Sequence, residues 1–279
     1  MHGDNEVKNI VRLIGNSKSI KKAMGELIIE EDRFTFDSFA PIPDELMYTD
    51  PTQLSIPDKD YEKILRSYKD RLDSGGLEDY ESIPISHYIQ KRFIHEYGYD
   101  NWYDWAMNHW GCKAQPYDTT IISDNEFSFH TPNATPHTAM VKMSMKYPKI
   151  EFQVRYADED LGYNVGEYSL LNGETIATNV PPSDIFNKDS VVMAHGVLKD
   201  DYYLREIIYE LSDREVIDSI SGKDKYLNVL LQAILEFEIV DEEYPREISV
   251  YLLESAVSNE QYEYAATLKK LLDSEVAGN

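Results

Sequence analysis

One cysteine, Cys112, is all that this 279-residue chain holds, so no internal disulfide can staple it. That usage fits a reducing compartment. No apolar run approaches the length of about 18 residues that a membrane-crossing helix needs, and no basic-then-apolar leader opens the chain. Together these absences predict a soluble, cytoplasmic protein with no membrane partner. Basic residues are also scarce: Lys and Arg number 27 against 51 Asp and Glu, a net charge of −24. An acid excess of that size repels phosphate backbones and anionic lipid, so direct nucleic-acid binding is disfavoured. The glycine-rich fingerprints that cradle phosphates do not occur. The seven histidines scatter without His-x-x-x-His spacing, and a single cysteine makes no Cys-x-x-Cys pair. No catalytic residue, metal or cofactor is expected from these patterns.

What the chain does have is aromatic residues, 12% of the total within a hydrophobic content of 42%. All three tryptophans fall in Tyr97–Asp118, YGYDNWYDWAMNHWGCKAQPYD, together with Cys112. Large rings bring the most burial energy per residue, at roughly 25 cal/mol per Å². Trp102, Tyr103, Trp105 and Trp110 are therefore either the centre of a core or a platform that grips a ligand. Lys113 next to Cys112 suggests a lowered thiol pKa. His109 lies three residues away, with Asp104 or Asp118 as an orienting acid; packing is the weightier expectation for a lone cysteine in such a cluster. His130 and His137 flank a proline-containing loop and make a weak metal pair. The acid runs Asp158–Asp160 and Asp241–Glu243 read as solvated surface.

Val7–Gly15 reads as a first strand, and Asn16 or Ser17 caps a helix with Ile20, Met24, Leu27 and Ile28 inward and Lys18, Lys21 and Lys22 outward. Phe34, Phe36 and Phe39 lead into Ala40-Pro41-Ile42-Pro43, where proline forbids helix. Asp58–Leu72 is predicted helical. So is Pro84–Tyr97, with Pro84 in the first turn and Ile85, Tyr88, Ile89 and Phe93 inward. Glu126–His130 is a strand, His137–Tyr147 a methionine-rich helix, and Ile150–Ala157 the cleanest strand, pairing with Val165–Leu171. The expected fold is α+β, a ferredoxin-like antiparallel sheet with helices on one face, followed by an all-α C-terminal module. The domains expected are 1–174 for the sheet, 175–243 for a linker and helical segment, and 244–279 for a helical hairpin. Within them, Val191–Val197 offers an edge strand, and Asp200–Leu211, Lys225–Glu238, Arg246–Ser258 and Glu260–Glu275 are helices, with Asn259 as a cap.

Two segments resemble known families. FDSFAPIPDEL (Phe36–Leu46), then YGYDNWYDWAMNHWG (Tyr97–Gly111), FSFHTPNATP and YPKIEFQVRYADED (Tyr147–Asp160) resemble the YubB-type, Api-like ferredoxin-fold family of plasmid and phage proteins over roughly Val7–Glu174. Where that family tends to place Thr-Lys-Trp after Trp-Gly, this chain has Cys112-Lys113-Ala114. The resemblance implies a ferredoxin-like fold on a mobile genetic element, and no reaction. The second segment, Leu253 and Ala256 followed by Tyr262, Ala265, Ala266 and Leu268, is similar to the UVR motif, a protein-docking helical hairpin of excision-repair subunits and chaperone adaptors. Here Lys269-Lys270 replaces its usual Arg-Asp. The alternative is a plain helix pair in the chain's own core.

Asp200–Asn279 carries 19 acidic and 7 basic side chains, a net −12, half of the whole charge. With the hairpin and the missing catalytic motifs, this points to a non-enzymatic protein-binding protein of a phage or mobile element. It would dock onto a host nucleic-acid-handling or defence complex through acidic surface and, in the strong form, inhibit it. Two alternatives remain open at this point: an enzyme or small-ligand binder with a pocket at Trp102, Tyr103 and Trp105, and a nucleic-acid-binding ferredoxin-like module. A short hairpin cannot bury its own apolar face, so a homo-oligomer is expected. Light scattering at micromolar concentration should therefore return more than the monomer mass of 32.3 kDa; the monomer mass itself would remove self-association through the hairpin.

Overall fold

Val7, Asn9, Val11 and Leu13 alternate along Glu6–Ile14 (β1), and all four are fully buried. The computed structural model describes residues 5–29, 33–49, 51–52, 55–74, 84–160, 162–183, 187–199, 246–258 and 260–277. After β1, the Asn16 side chain accepts the Lys18 amide at 3.0 Å and starts Ser17–Leu27 (α1), which buries Ile20, Ala23 and Leu27. The Asn16 cap and the outward lysines stand where the spacing placed them.

A long insertion follows. Ile28–Ile29 (β2) pairs antiparallel with Arg33–Phe34 (β3), and Phe36–Ser38 forms a short 3-10 turn. Ser55–Ile56 (β4) pairs in parallel with Ile85–Ser86 (β5), bracketing the helix Asp58–Asp73 (α2). On α2, Tyr61, Leu65 and Tyr68 are half-buried and Ile64 is exposed, a shallower face than its pattern suggests. His87–Tyr97 (α3) and Trp102–His109 (α4) complete the insertion. The helix expected from Pro84 instead begins at His87: Ile85 is buried in β5, Ser86 caps α3 through the Ile89 amide, and Tyr88 points to solvent at 68% exposure.

The chain then returns to the sheet with Tyr117–Ser123 (β6), Glu126–Pro132 (β7), His137–Lys146 (α5), Glu151–Asp158 (β8), Gly166–Leu171 (β9) and Glu174–Asn179 (β10). The strands lie in the order β10-β9-β8-β1-β7-β6. Within that order, β8-β1-β7-β6, joined in the sequence β1-α1-β6-β7-α5-β8, is the split βαββαβ arrangement of a ferredoxin-like sheet. β1 and β7 run antiparallel with Val11 opposite Phe127 and Val7 opposite Thr131, so these side chains share one face. On that face the Phe34 ring lies 4.9 Å from Phe127 and 4.8 Å from Phe129. β6 and β10 add strands where none was expected, and β10 carries the sheet past residue 174 to Asn179.

The chain divides into two units, one of Met1–Val154 with Tyr168–Ala177 and one of Arg155–Glu167 with Thr178–Asn279. In the second, Lys188–Leu198 (α6) takes the place of the edge strand expected at Val191–Val197. Local capping overrides β-branched propensity there. Asn187 Oδ1 accepts the amides of Asp189 and Ser190, and Ser190, Val191, Ala194 and Val197 are buried at helical spacing. Asp158, expected as solvated surface, is buried and holds the β8–β9 turn by accepting from the Asp160 amide and Asn164 Nδ2.

Arg246–Ser258 (α7) and Tyr262–Ala277 (α8) form the terminal hairpin. Leu252, Ala256, Ala265, Leu268 and Leu272 are buried, Leu253 is half-buried, and Ala266 and Tyr262 face outward. Close approach therefore rests on Ala256 and Ala265, not on Ala266. The helices expected at Asp200–Leu211 and Lys225–Glu238, the charged break at Asp241–Pro245 and the Asn259 cap lie outside the described residues.

The β9–β10 turn, Asn172-Gly173, has φ of 51° and 83°, and the Gly173 amide donates to Ser144 Oγ on α5 at 2.8 Å. A Cβ on Gly173 would stand 2.5 Å from Met145 Cγ. Gly173→Ala combines a left-handed backbone with a side-chain clash and should cost about 1–3 kcal/mol, read as a lowered urea midpoint at unchanged slope.

Candidate functional site

The tryptophans divide between core and surface. Asn101 Oδ1 accepts the Asp104 amide at 2.8 Å and caps α4, which fixes where the following rings point. Trp105 and Trp110 are buried and meet edge to face at 5.6 Å. Trp110 Nε1 donates to Ala40 O at 2.7 Å, and its ring lies 5.4 Å from Phe36. These two indoles join α4 to the phenylalanine segment. Trp102 and Tyr103 are half-buried and meet at 5.7 Å and 77°.

Trp102, Tyr103 and one edge of Trp110 form part of an open groove of about 940 Å³. Its other walls are Pro41, Ile42, Met47 and Pro51, and Asp37, Asp44 and Lys113 supply the charge. The wall is held from both ends. Thr49 Oγ1 donates to Leu46 O and accepts the Trp102 amide at 3.1 Å. Arg92 Nη2 and Tyr97 Oη on α3 both donate to Glu45, at 2.7 and 2.6 Å. The two donors hold the Glu45 carboxyl below the usual carboxylate range, Tyr97's bond first, and the same bond raises the Tyr97 hydroxyl. Gln115 Nε2 donates to Asp37 at 2.8 Å, fixing that carboxylate at the groove. Trp105, grouped with Trp102 and Tyr103 on spacing alone, is not among the groove's walls. The proline wall is a part of the site that spacing did not point to, although Pro41-Ile42-Pro43 precedes it plainly in the chain.

The remaining chemical candidates separate. Cys112 is buried with Sγ directed to Ala114 O at 3.3 Å, and burial pushes its thiol up to about 12, opposite to the activation that Lys113 suggested. His109 stacks on Trp105 at 4.1 Å and 2°, and its Nδ1 lies 2.9 Å from Trp105 O. His109 and Cys112 thus have different partners and make no nucleophile pair. Lys142 Nζ sits 5.8 Å from the Trp105 ring centroid, and burial lowers its pKa. His130 stacks on Tyr117, while His137 meets Tyr168 and Thr175 Oγ1. Among the described residues no group of three or more His, Cys, Asp or Glu is placed to hold a metal ion. No helix of the described residues is long and apolar enough to cross a membrane.

Known proteins bear on the sheet rather than the groove. A family model described as the ferredoxin-like domain in Api92-like protein matches residues 109–192. That segment is similar to the ferredoxin-like domain of Api92-like proteins. It runs from the end of α4 through β6, β7, α5, β8, β9 and β10 into α6, while β1 and α1 come from outside it. The Api-like resemblance read from the motifs is thereby met, and the family description names a fold and no reaction. The crystal structure of a protein api92 from Yersinia pseudotuberculosis is also similar, at 10% identity over 64% of this chain and 98% of that one. Its TM-score is 0.34, too low to carry an argument. No curated protein matches the chain.

Burial lowers the pKa of His109, His130 and His137 below the ordinary 6.5. The unfolded chain therefore binds protons first on acidification. Stability is complete above about pH 6.5 and falls as the pH drops through the folded values. For Cys112 the sign reverses with the direction of its shift: its contribution is complete below pH 9.0 and is lost on the way to about 12. Urea midpoints measured across pH should fall on both sides, and Cys112→Ala should flatten the alkaline limb only.

Proposed function

We propose that this chain is a non-enzymatic protein-binding protein of a phage or other mobile element, which seats part of a partner protein in the groove at Trp102, Tyr103 and Trp110. The groove itself is the observation behind this reading. Half-exposed rings beside two prolines give an apolar, pre-shaped floor, and rigid aromatic anchors of this kind concentrate binding energy at little entropic cost. Asp37 and Asp44 favour a basic segment, such as one with an arginine lying over Trp102. The net charge of −24 acts in the same direction at longer range and favours the basic surfaces of nucleic-acid-handling or defence complexes. The α7–α8 hairpin, whose Val250, Val257 and Tyr262 are exposed, is a second docking or self-association element in this reading.

Affinity capture with the wild type and with Trp102→Ala/Tyr103→Ala tests it. Both rings are half-exposed, so the double variant should keep its melting temperature within a few degrees. A basic partner retained by the wild type at physiological salt should fall at least about tenfold with the variant, a loss of about 1.4 kcal/mol. Equal recovery by both proteins would sink the proposal.

A further inference from the structure

A second groove, in the same unit, has a basic helix along one wall. β6 is an edge of the sheet. Natural edge strands are commonly blunted by lysine or proline, because unpaired backbone groups invite another strand. Between Asp118 and Asp124, β6 reads Thr-Thr-Ile-Ile-Ser, with neither. Its first half is engaged, since Phe34 N donates to Thr119 Oγ1 at 3.0 Å. Beyond Thr120 it is open, with Ile121 and Ile122 at 44% and 47% exposure.

This open half borders a groove of about 720 Å³ whose far wall is α1, with Ile20, Lys21, Met24, Gly25 and Ile28. Gly25 lies within α1 at a position where a Cβ would meet nothing within 4 Å. A helical glycine costs about 1 kcal/mol relative to alanine, and no packing among the described residues asks for it. A bare backbone there does let another chain approach closely. α1 is also basic: Lys18, Lys21 and Lys22 are exposed, and Glu26 is its one carboxylate, 3.7 Å from Lys22. At physiological ionic strength screening acts over about 8 Å. A segment entering the groove therefore meets the lysines of α1 on one wall and Asp124 at the β6–β7 turn on the other. The pairing of β6 with β7 slips by a residue between Ile121 and Ser123. Contact along so short a regular edge must then rest on side chains in the groove as well as on the strand backbone.

We propose that the groove between α1 and β6 binds an extended, carboxylate-bearing segment of a partner protein. The segment runs beside Thr120–Ser123, lays apolar side chains on Ile20, Met24, Ile28 and Ile121, passes close over Gly25 and turns its carboxylates to Lys18 and Lys21. It is a contact separate from the aromatic groove, and opposite to it in the charge it selects.

Fluorescence anisotropy with the full chain at physiological salt decides it, using a short labelled peptide of alternating glutamate and valine as probe. A lysine–valine peptide and an oligothymidine serve as counter-probes. The glutamate peptide should bind saturably, and Lys18→Glu/Lys21→Glu should weaken it at least about tenfold, the range of a few lost charge contacts. Gly25→Phe should weaken it as much without lowering the melting temperature, because the space it fills is open. Trp102→Ala should leave it unchanged, which separates this contact from the aromatic groove. No saturable binding of the glutamate peptide, equal binding of the lysine peptide, oligothymidine binding that depends on the same lysines, or undiminished binding by Gly25→Phe would each overturn the proposal.

Discussion

The Phe34 ring, within 5 Å of both Phe127 and Phe129, ties the insertion between α1 and β6 to the sheet. Closing a loop of that length costs about 4 kcal/mol in chain entropy. Fully burying one phenylalanine returns about 1.5–3 kcal/mol, so Phe34 and Phe36, both fully buried, together offset the closure. Phe36 extends the contact to Trp110, and Trp110 fixes Ala40 through its indole nitrogen. The proline wall of the aromatic groove starts at the next residue, Pro41. The groove thus exists because the phenylalanines anchor the segment just before it.

The same ring system explains why spacing alone did not divide the tryptophans correctly. Helical periodicity puts Trp102 and Trp105 on one broad face, but α4 lies between two surfaces. Trp105 faces inward against His109 and Trp110, while Trp102 lines the groove with Met47 and Pro51. Which side of a short helix is core depends on what packs there, and the relevant partner, Ala40–Thr49, is distant in sequence. Cys112 is the packing residue that a lone cysteine in this cluster was expected to be: it is buried, and burial outweighs the activation that neighbouring Lys113 suggests.

Elements with strong local signals were legible: β1, α1 with its Asn16 cap, α5, β8 and the Arg246–Ser258 helix. Besides the two-residue strands β2 to β5, the strands that were not legible are the two edges of the six-stranded sheet. Strand patterns show when one face is buried and the other is not; β10 is exposed at every position, and β6 is mostly exposed, so neither alternates. Asn172-Gly173 did signal β10, since Asn-Gly suits a tight hairpin turn, but it read as a domain end instead. α6 failed for the converse reason. Its valines favour a strand, yet two amides caught by Asn187 start a helix, and the resulting spacing buries Val191, Ala194 and Val197 together.

Two features bordering one groove run against stability. An alanine in place of Gly25 would favour α1, and a lysine within Thr119–Ser123 would guard the edge of β6 at little cost to the sheet. Each alone is unremarkable in a chain of this length. Their placement on facing walls, beside the lysines of α1, is harder to attribute to packing, because no packing among the described residues requires either one. Local departures from the most stable choice are expected where a surface has to receive something. The aromatic groove shows the other way to make such a surface: rings and prolines are held rigid from behind, so binding needs little ordering. In the α1–β6 groove the backbone itself is left accessible, and specificity there falls to the lysines.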